Sequence, residues 1–575
     1  MKKITIKIGG EAGFGIMSAG TMLTKAFVRH GYHAIAGNEY PSLIRGGHNL
    51  ITVGLSTTPF YALDTSIDIL VALNKETVDL HGKELTHKAI VVYDPKDVTV
   101  NTADFSKDIT FIALPLSEIV SSLGGVSVMR NTVAIGAVVA LLGVDFSYLS
   151  EVVTDQFLKK GDKVIKENID VAKAGFDAVK KEHAAVTGMF LDAPETKDEH
   201  YIMNASEAVG LGALDGGMKF AAIYPMTPIN ALISLFADHS KELGIVYKQP
   251  EDEIAGIMMA IGASLAGVRS MVATSGGGFA LMVEGVSMTG IMEVPLVIDL
   301  GMRPGPATGM PTWTEQGELQ MVLHAGHGEF PRIVLAPGDV EEAYTLTKQA
   351  FDLAEMYQIP VFVLTDKYIN ENQWCVKKSV FTNPKAVERK NMATTPLPSD
   401  ESFNRYALDT VTGTSPRSLP GMEFGRYLAN SYEHDEKGLT TEESAMRIAM
   451  ATKRMKKLET ILKVAPLPQI YGDANAEITL VGWGSTKGPM LEAIPLLQAQ
   501  GKKVKCIHFS WIYPMDEKKI QAILGKEKRL VIIEGNSTAQ FAGLLRECTG
   551  IDIQEKLLKF DGRQWFPEEI VEKIG

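Results

Sequence analysis

Cysteine is nearly absent: the 575 residues contain only Cys375, Cys506 and Cys548, far apart and with no Cys-x-x-Cys pair. A four-cysteine iron–sulfur cluster cannot be assembled from this chain alone, so any electron relay has to lie on another polypeptide. Three scattered thiols fit a reduced, cytosolic chain better than a disulfide framework. Basic charge is scarce as well. Lys and Arg number 57 against 69 Asp and Glu, a formal net charge of -12, which argues against a nucleic-acid surface and leaves no broad attraction for anionic lipid. No apolar run reaches the roughly 20 residues that span a bilayer. The start, MKKITIKIGG, runs straight into a strand pattern without the apolar stretch and cleavage site of a signal peptide. The expectation is a cytoplasmic protein with neither nucleic acid nor membrane as partner.

What is present is ordinary soluble composition, 45% hydrophobic and 22% charged, in a chain too long for one core. Residues 1–190 alternate short apolar strands ("KITIKIGG", "IDILVALN", "AIVVYDP") with helical segments, the pattern of a mostly parallel sheet covered on both faces. Polar residues 191–200 read as a linker. A second α/β unit spans 201–395, with candidate strands "KFAAIYP", "MVATS", "PLVIDLG", "RIVLAP" and "PVFVLTD". Regularity fails across 396–470, rich in Pro, Ser and Thr, which reads as an irregular connecting segment over the surface or at a subunit interface. A third α/β unit occupies 471–575. The fold class is therefore α/β, in three doubly wound units.

The richest stretch is "AAIYPMTPINALISLFADHSKELGIVYKQPEDEIAGIMMAIGASLAG", beginning at Ala221. Tyr224-Pro225-Met226-Thr227-Pro228 falls where a strand ends and a helix begins, the usual place for ligands in open α/β sheets. Pro228 in a first helical turn would make Thr227 an ordinary N-cap. The acids Glu251, Asp252 and Glu253 could simply favour a helix N-terminus through the dipole. The helix behind them, "IAGIMMAIGASLAG", reads as buried nearly all round, which would bury an acid at its head, and a buried carboxylate demands a partner. Downstream, "MRPGPATGMPTWTEQGEL" offers Arg303, Thr308 and Thr312 on a Gly/Pro-rich loop after a strand; a guanidinium with nearby hydroxyls suits a carboxylate. "TSGGGFALMVEG", with Ser275 and Gly276, ends another strand of the same unit. Three such loops on one sheet edge converge as a site does. Near the start, "GGEAGFG" holds Gly10, Gly13 and Gly15 between strand and helix, either a phosphate cradle or a tight turn, and Arg45 and His48 flank two further glycines.

In this order, Tyr-Pro-x-Thr-Pro, the acid-led small-residue helix, Thr-Ser-Gly-x-Gly and Arg-x-Gly-Pro-x-Thr-Gly-x-Pro-Thr, the chain resembles the 2-oxoacid:ferredoxin oxidoreductases over nearly its whole length. The central unit looks like the family's thiamine-pyrimidine-binding domain. The first unit looks like its gamma domain, and "VGWGSTKGPMLEAIPLLQAQGKKV" with "VIIEGN" resembles its transketolase-C-terminal-like domain. The chain departs from the family at Gly-Glu-Ala-Gly-Phe-Gly, where Gly-x-Gly-Gln-Gly is usual, and at Ala539, where glycine is frequent. A fused gamma–alpha chain implies a large subunit whose beta subunit carries diphosphate- and Mg2+-binding elements and a [4Fe-4S] cluster, in a dimer of alpha–beta heterodimers. The resemblance implies thiamine diphosphate shared with that subunit, coenzyme A as cosubstrate and ferredoxin as acceptor. The 2-oxoacid expected first is 2-oxoglutarate; pyruvate or a broad range remains an alternative, as do a non-redox thiamine enzyme and a CoA-binding scaffold. Family roles fall on Glu253 as catalytic acid and on Thr227, Arg303, Thr308 and Thr312 around the substrate. Tyr224, Pro225, Glu253, Ser275 and Gly276 fall around the cofactor, and Gly10, Gly13, Gly15 and Arg45 on coenzyme A. No metal ligand is expected on this chain.

Overall fold

The computed structural model describes residues 3–43, 46–188, 191–194, 199–381, 391–393 and 403–575. They form two compact units: residues 1–203 with 372–381 and 566–575, and residues 204–371 with 382–565.

In the first unit β1 (Lys3–Glu11), β2 (His33–Glu39), β3 (His48–Ser56), β4 (Ile67–Ala72), β5 (Leu85–Tyr93), β6 (Thr110–Ala113) and β7 (His200–Met203) belong to one sheet. The second unit opens with β8 (Phe220–Ala222), β9 (Val246–Lys248), β10 (Ser270–Thr274), β11 (Leu296–Met302), β12 (Ile333–Leu335) and β13 (Pro360–Asp366). The next strand, β14 (Gln373–Lys377), is back in the first sheet, whose order is β6-β5-β4-β1-β3-β2-β14-β7. Only β6, β5, β4 and β1 run parallel; β1-β3, β3-β2, β2-β14 and β14-β7 are antiparallel. The mostly parallel sheet expected for residues 1–190 is thus half antiparallel. The connection between β2 and β3 is too short for a parallel crossover, which needs a dozen or more residues. Strand β1 buries Ile4, Ile6 and Ile8 on one face, while Thr5 and Lys7 are buried on the other. The helix Ile16–Val28 covers it through Ile16, Ala19, Leu23 and Phe27, one face at helical spacing.

The third sheet contains β15 (Gln469–Gly472), β16 (Ile478–Trp483), β17 (Val504–Phe509), β19 (Leu530–Glu534) and β20 (Glu555–Leu558), ordered β15-β17-β16-β19-β20 and parallel apart from β15. The intervening β18 (Trp511–Tyr513) adds to β12 at the edge of the second sheet, ordered β18-β12-β13-β11-β10-β8-β9. Two segments cross the expected domain limits: β18 joins the central sheet, and the last helix, Pro567–Ile574, belongs to the first unit. Within 396–470, expected to be irregular, a 19-residue helix forms, Ser444–Leu462. Its buried lysines are paired: Lys453 and Lys457 each lie 2.6 Å from the Glu293 carboxylate, so the helix reads polar in sequence yet turns one charged face inward. Among the described residues no helix is long and apolar enough to cross a membrane.

Candidate active site

Neighbouring strands β11, β10, β8 and β9 are parallel, so their carboxyl ends share one edge, where the three expected loops and the acid-led helix all begin. The three acids part company there. Glu251 is exposed. Asp252 caps the helix Glu253–Leu265, accepting from Ala255 N at 2.8 Å. Glu253, the first helical residue, is 3% exposed, and its Oε1 is buried without a hydrogen-bond partner among the described residues. Its pocket is shaped for it: a Cβ at Gly278 would lie 2.4 Å from Glu253 Oε1 and 2.1 Å from Thr274 Oγ1, so only glycine fits beneath the carboxyl. Ser275, which precedes the helix Gly276–Met292, buries a second unpartnered oxygen, Oγ. Leaving such groups unmade costs about 1–3 kcal/mol each, a cost offset when a ligand supplies the missing partner.

Two expectations about this stretch are corrected. The helix after Pro228 begins only at Asn230, with Ile229 at the N-cap position and no side-chain cap. Thr227 is therefore not the cap. The helix Glu253–Leu265 is not buried all round either: Ile254, Met258 and Met259 are 50%, 42% and 41% exposed. Hydrophobicity at those positions marks an uncovered apolar face rather than core.

Arg303 bridges two of the loops, donating from Nη1 to the Thr227 carbonyl at 2.8 Å. Burial lowers its pKa, and the nearby Glu318 opposes that shift. Thr312 is buried with an unpartnered Oγ1, whereas Thr308 lies exposed on the same loop. Gly309, at φ +52°, closes that loop; a Cβ there would sit 1.9 Å from the Pro304 carbonyl oxygen. Tyr224 and Pro225 are exposed at the rim, and Gly276 lies against Glu318, whose Oε1 a Cβ would meet at 2.5 Å. Sequence reading missed Glu318. Burial, then Glu315, push its carboxyl up to about 8 against the pull of Arg303, and its Oε2 has no partner among the described residues. It also missed Asp299 in β11, pushed up to about 7 by burial, with the Thr365 hydroxyl opposing the shift. A lone acid inside the apolar run "PLVIDLG" and the paired acids of "TEQGEL" were the available signals.

In the first unit, Gly10 lies next to the last residue of β1 against Leu73, Gly13 (φ +94°) has open space around its Cα, and Gly15 (φ +69°) is the N-cap of the helix Ile16–Val28. Asn131 Nδ2 clamps the turn through the carbonyls of Phe14 and Gly15, each at 2.9 Å. The helix has no acid in its first turn, which leaves its N-terminal N–H groups and dipole available to an anion. Arg45 lies outside the described residues. His48 is held on β3 by His81, Nε2 to Nε2 at 3.1 Å, and His81 Nδ1 is 2.9 Å from Glu84, which also pairs with Lys7.

With this geometry in place, comparison with known proteins is direct. Residues 211–454 match the family model described as pyruvate flavodoxin/ferredoxin oxidoreductase, thiamine diphosphate-binding. Residues 5–178 match pyruvate ferredoxin/flavodoxin oxidoreductase, and 471–548 match the transketolase C-terminal domain. The class is that of oxidoreductases with a thiamine-diphosphate-binding domain. The alpha subunit of 2-oxoacid:ferredoxin oxidoreductase 2 from Aeropyrum pernix is 30% identical, the alignment covering 99% of this chain and 97% of that protein. Subunit KorA of 2-oxoglutarate synthase from Methanothermobacter marburgensis is 30% identical over 65% of this chain and 98% of its own. A solved structure of 2-oxoglutarate:ferredoxin oxidoreductase from Magnetococcus marinus, with 2-oxoglutarate, coenzyme A and succinyl-CoA bound, superposes with a TM-score of 0.92. It is 30% identical, covering 100% of this chain and 99% of that one. The chain belongs to the 2-oxoacid:ferredoxin oxidoreductase family, as a large subunit with its gamma-type domain fused ahead of its alpha-type domains.

Proposed function

We propose that this chain is the large subunit of a 2-oxoglutarate:ferredoxin oxidoreductase, converting 2-oxoglutarate and coenzyme A to succinyl-CoA and CO2 while two electrons pass singly to ferredoxin. The observation that carries the reading is end-to-end similarity to the Magnetococcus marinus enzyme at a TM-score of 0.92. The relatives named for 2-oxoacids in general, such as the Aeropyrum pernix subunit, support a broad substrate range, pyruvate included, as the second reading.

The residues present fit thiamine diphosphate, because the buried, unpartnered Glu253 Oε1 and Ser275 Oγ are what a polar aminopyrimidine ring requires. When bound, that cofactor supplies the nucleophilic carbon and the electron sink for decarboxylation. Glu253 would share a proton with the pyrimidine ring nitrogen, and its enclosure against Gly278 would keep water from competing for that oxygen. Tyr224, Pro225, Ser275 and Gly276 would border the ring. Arg303, with one N–H fixed by Thr227, turns the rest of its fork to the substrate carboxylate, while the Thr227, Thr308 and Thr312 hydroxyls complete the polar wall. The turn at Gly10, Gly13 and Gly15, with Arg45, takes phosphate groups of coenzyme A.

A beta subunit brings the diphosphate and Mg2+ elements and a [4Fe-4S] cluster, since three cysteines cannot ligate one. A second chain is supported by the uncovered apolar face: Ile254, Met258, Leu281, Met288 and Phe330 line a cavity of about 610 Å3 rimmed by Glu433 and Arg454. The assembly proposed is a cytoplasmic dimer of alpha–beta heterodimers. Expression with and without the beta subunit tests this. The chain alone should be colourless and free of iron and sulfide, and the co-purified complex should be brown. Stoichiometric iron and sulfide on this chain alone would overturn the reading.

A further inference from the structure

His33 opens β2, His200 opens β7, and Cys375 is the middle residue of β14, the strand hydrogen-bonded between them. One ring nitrogen of each histidine and the Cys375 Sγ all lie within 4.8 Å of one another. The two imidazoles stand edge to face, with centroids 4.9 Å apart and planes at 74°. In the β14–β7 ladder Cys375 pairs with Ile202 and Lys377 with His200, so His200 and Cys375 project from the same face of the sheet. All three residues are partly exposed, which gives solvent a path to the cluster.

We propose that these three side chains form a zinc site, with water in the fourth position. Two imidazoles and a thiolate are a borderline-soft donor set that favours Zn2+ over the oxygen-seeking Mg2+ and Ca2+. With Zn–N of about 2.0–2.1 Å and Zn–S of about 2.3 Å, a tetrahedral ion needs its donors roughly 3.3–3.7 Å apart. Donors already within 4.8 Å of one another reach that spacing by side-chain rotation, without moving the strands. Binding deprotonates the Cys375 thiol, and the proton goes to solvent.

The position explains what an ion would do. The β2–β14 ladder has only two residue pairs, Gln373↔Ala36 and Trp374↔Ile35, while β7 is a four-residue strand at the sheet edge. An ion held by β2, β14 and β7 together would clip the weakest part of the sheet, where segments far apart in sequence meet. None of the three residues belongs to the site proposed for thiamine diphosphate, so the zinc site stands or falls independently of that assignment.

The test uses the full-length chain, stripped with EDTA and titrated with CoCl2. Stoichiometric uptake is expected, with a thiolate-to-cobalt charge-transfer band in the near ultraviolet and the intense visible bands of four-coordinate Co2+, both displaced by ZnCl2. Cys375→Ser should abolish the charge-transfer band. His33→Gln and His200→Gln should each weaken affinity by at least the roughly 10–100-fold that loss of an outer-shell partner costs, whereas Cys548→Ala should leave the spectrum unchanged. If Cys375→Ser fails to fold, alkylation of the wild-type chain decides: ZnCl2 should slow labelling of Cys375 specifically. Weak six-coordinate cobalt spectra, a band that survives in Cys375→Ser, wild-type affinity in either histidine variant, or labelling indifferent to zinc would each overturn the proposal.

Discussion

Replacing Glu253 by Gln isolates the proton of a buried carboxyl whose Oε1 has no hydrogen-bond partner among the described residues. The amide is nearly isosteric, so it should occupy the same niche against Gly278 and Thr274, where a glycine Cβ would already be too close. The helix should be indifferent, because its cap is Asp252, accepting from Ala255 N at 2.8 Å. What is lost is proton exchange at Oε1. Removal of a general acid–base group lowers rates by about 10²–10⁴-fold, which is roughly 2.7–5.4 kcal/mol of barrier at 1.36 kcal/mol per decade. Asp252→Asn should cost almost nothing, since Asn caps about as well as Asp, and Glu251→Gln touches an exposed side chain. The assay is deuterium exchange of the thiamine diphosphate C2 proton in the co-purified complex, before substrate or electron transfer enters, with cofactor affinity measured by calorimetry. The reasoning is refuted by normal exchange in Glu253→Gln, or by an equal collapse in all three variants.

Arg303→Lys keeps the charge but loses the planar fork and the bridge to Thr227; kcat/KM should fall for every 2-oxoacid, by about 2–5 kcal/mol if a buried partner is stranded, and unchanged kinetics would remove Arg303 from the site. Glu318, raised from an ordinary 4.5 to about 8, binds its proton more tightly folded than unfolded. Its contribution to stability is therefore complete below about pH 4.5 and is lost as pH rises through about 8, so the melting temperature of Glu318→Gln relative to wild type should climb between pH 5 and 8; a flat difference would show that the carboxyl is not held protonated. Ala539 precedes the helix Gln540–Thr549 at φ +53°, a conformation costing a non-glycine residue about 1–2 kcal/mol. Ala539→Gly should raise the unfolding midpoint slightly, after the unfolded chain's greater entropy is offset, and a loss of stability would contradict the strain argument.

Much of this was legible before the structure. The apolar strands bounded by turn residues placed the α/β units, and a strand-to-helix junction at Thr227 placed the edge where Glu253, Ser275 and Arg303 gather. The burial of Glu253 was inferred from a helix wrongly read as enclosed on every side; Ile254 and Met258 look the same in sequence whether a core or a missing partner covers them. The β2-β14-β7 edge of the first sheet was illegible for another reason. Strand β14 pairs with β2 and β7 across long sequence separations, and such pairing leaves no local pattern to read. Glu318 escaped because its raised pKa comes from burial and the neighbouring Glu315, a property of the folded loop and not of its composition.

The most direct measurement is turnover by the complex of this chain with the proposed beta subunit, scored as CoA-dependent reduction of ferredoxin with 2-oxoglutarate and pyruvate offered separately. The account predicts reduction that requires thiamine diphosphate and coenzyme A, yields succinyl-CoA, and proceeds with higher kcat/KM on 2-oxoglutarate than on pyruvate. Preference for pyruvate, or 2-oxoacid consumption that never reduces ferredoxin, would contradict it.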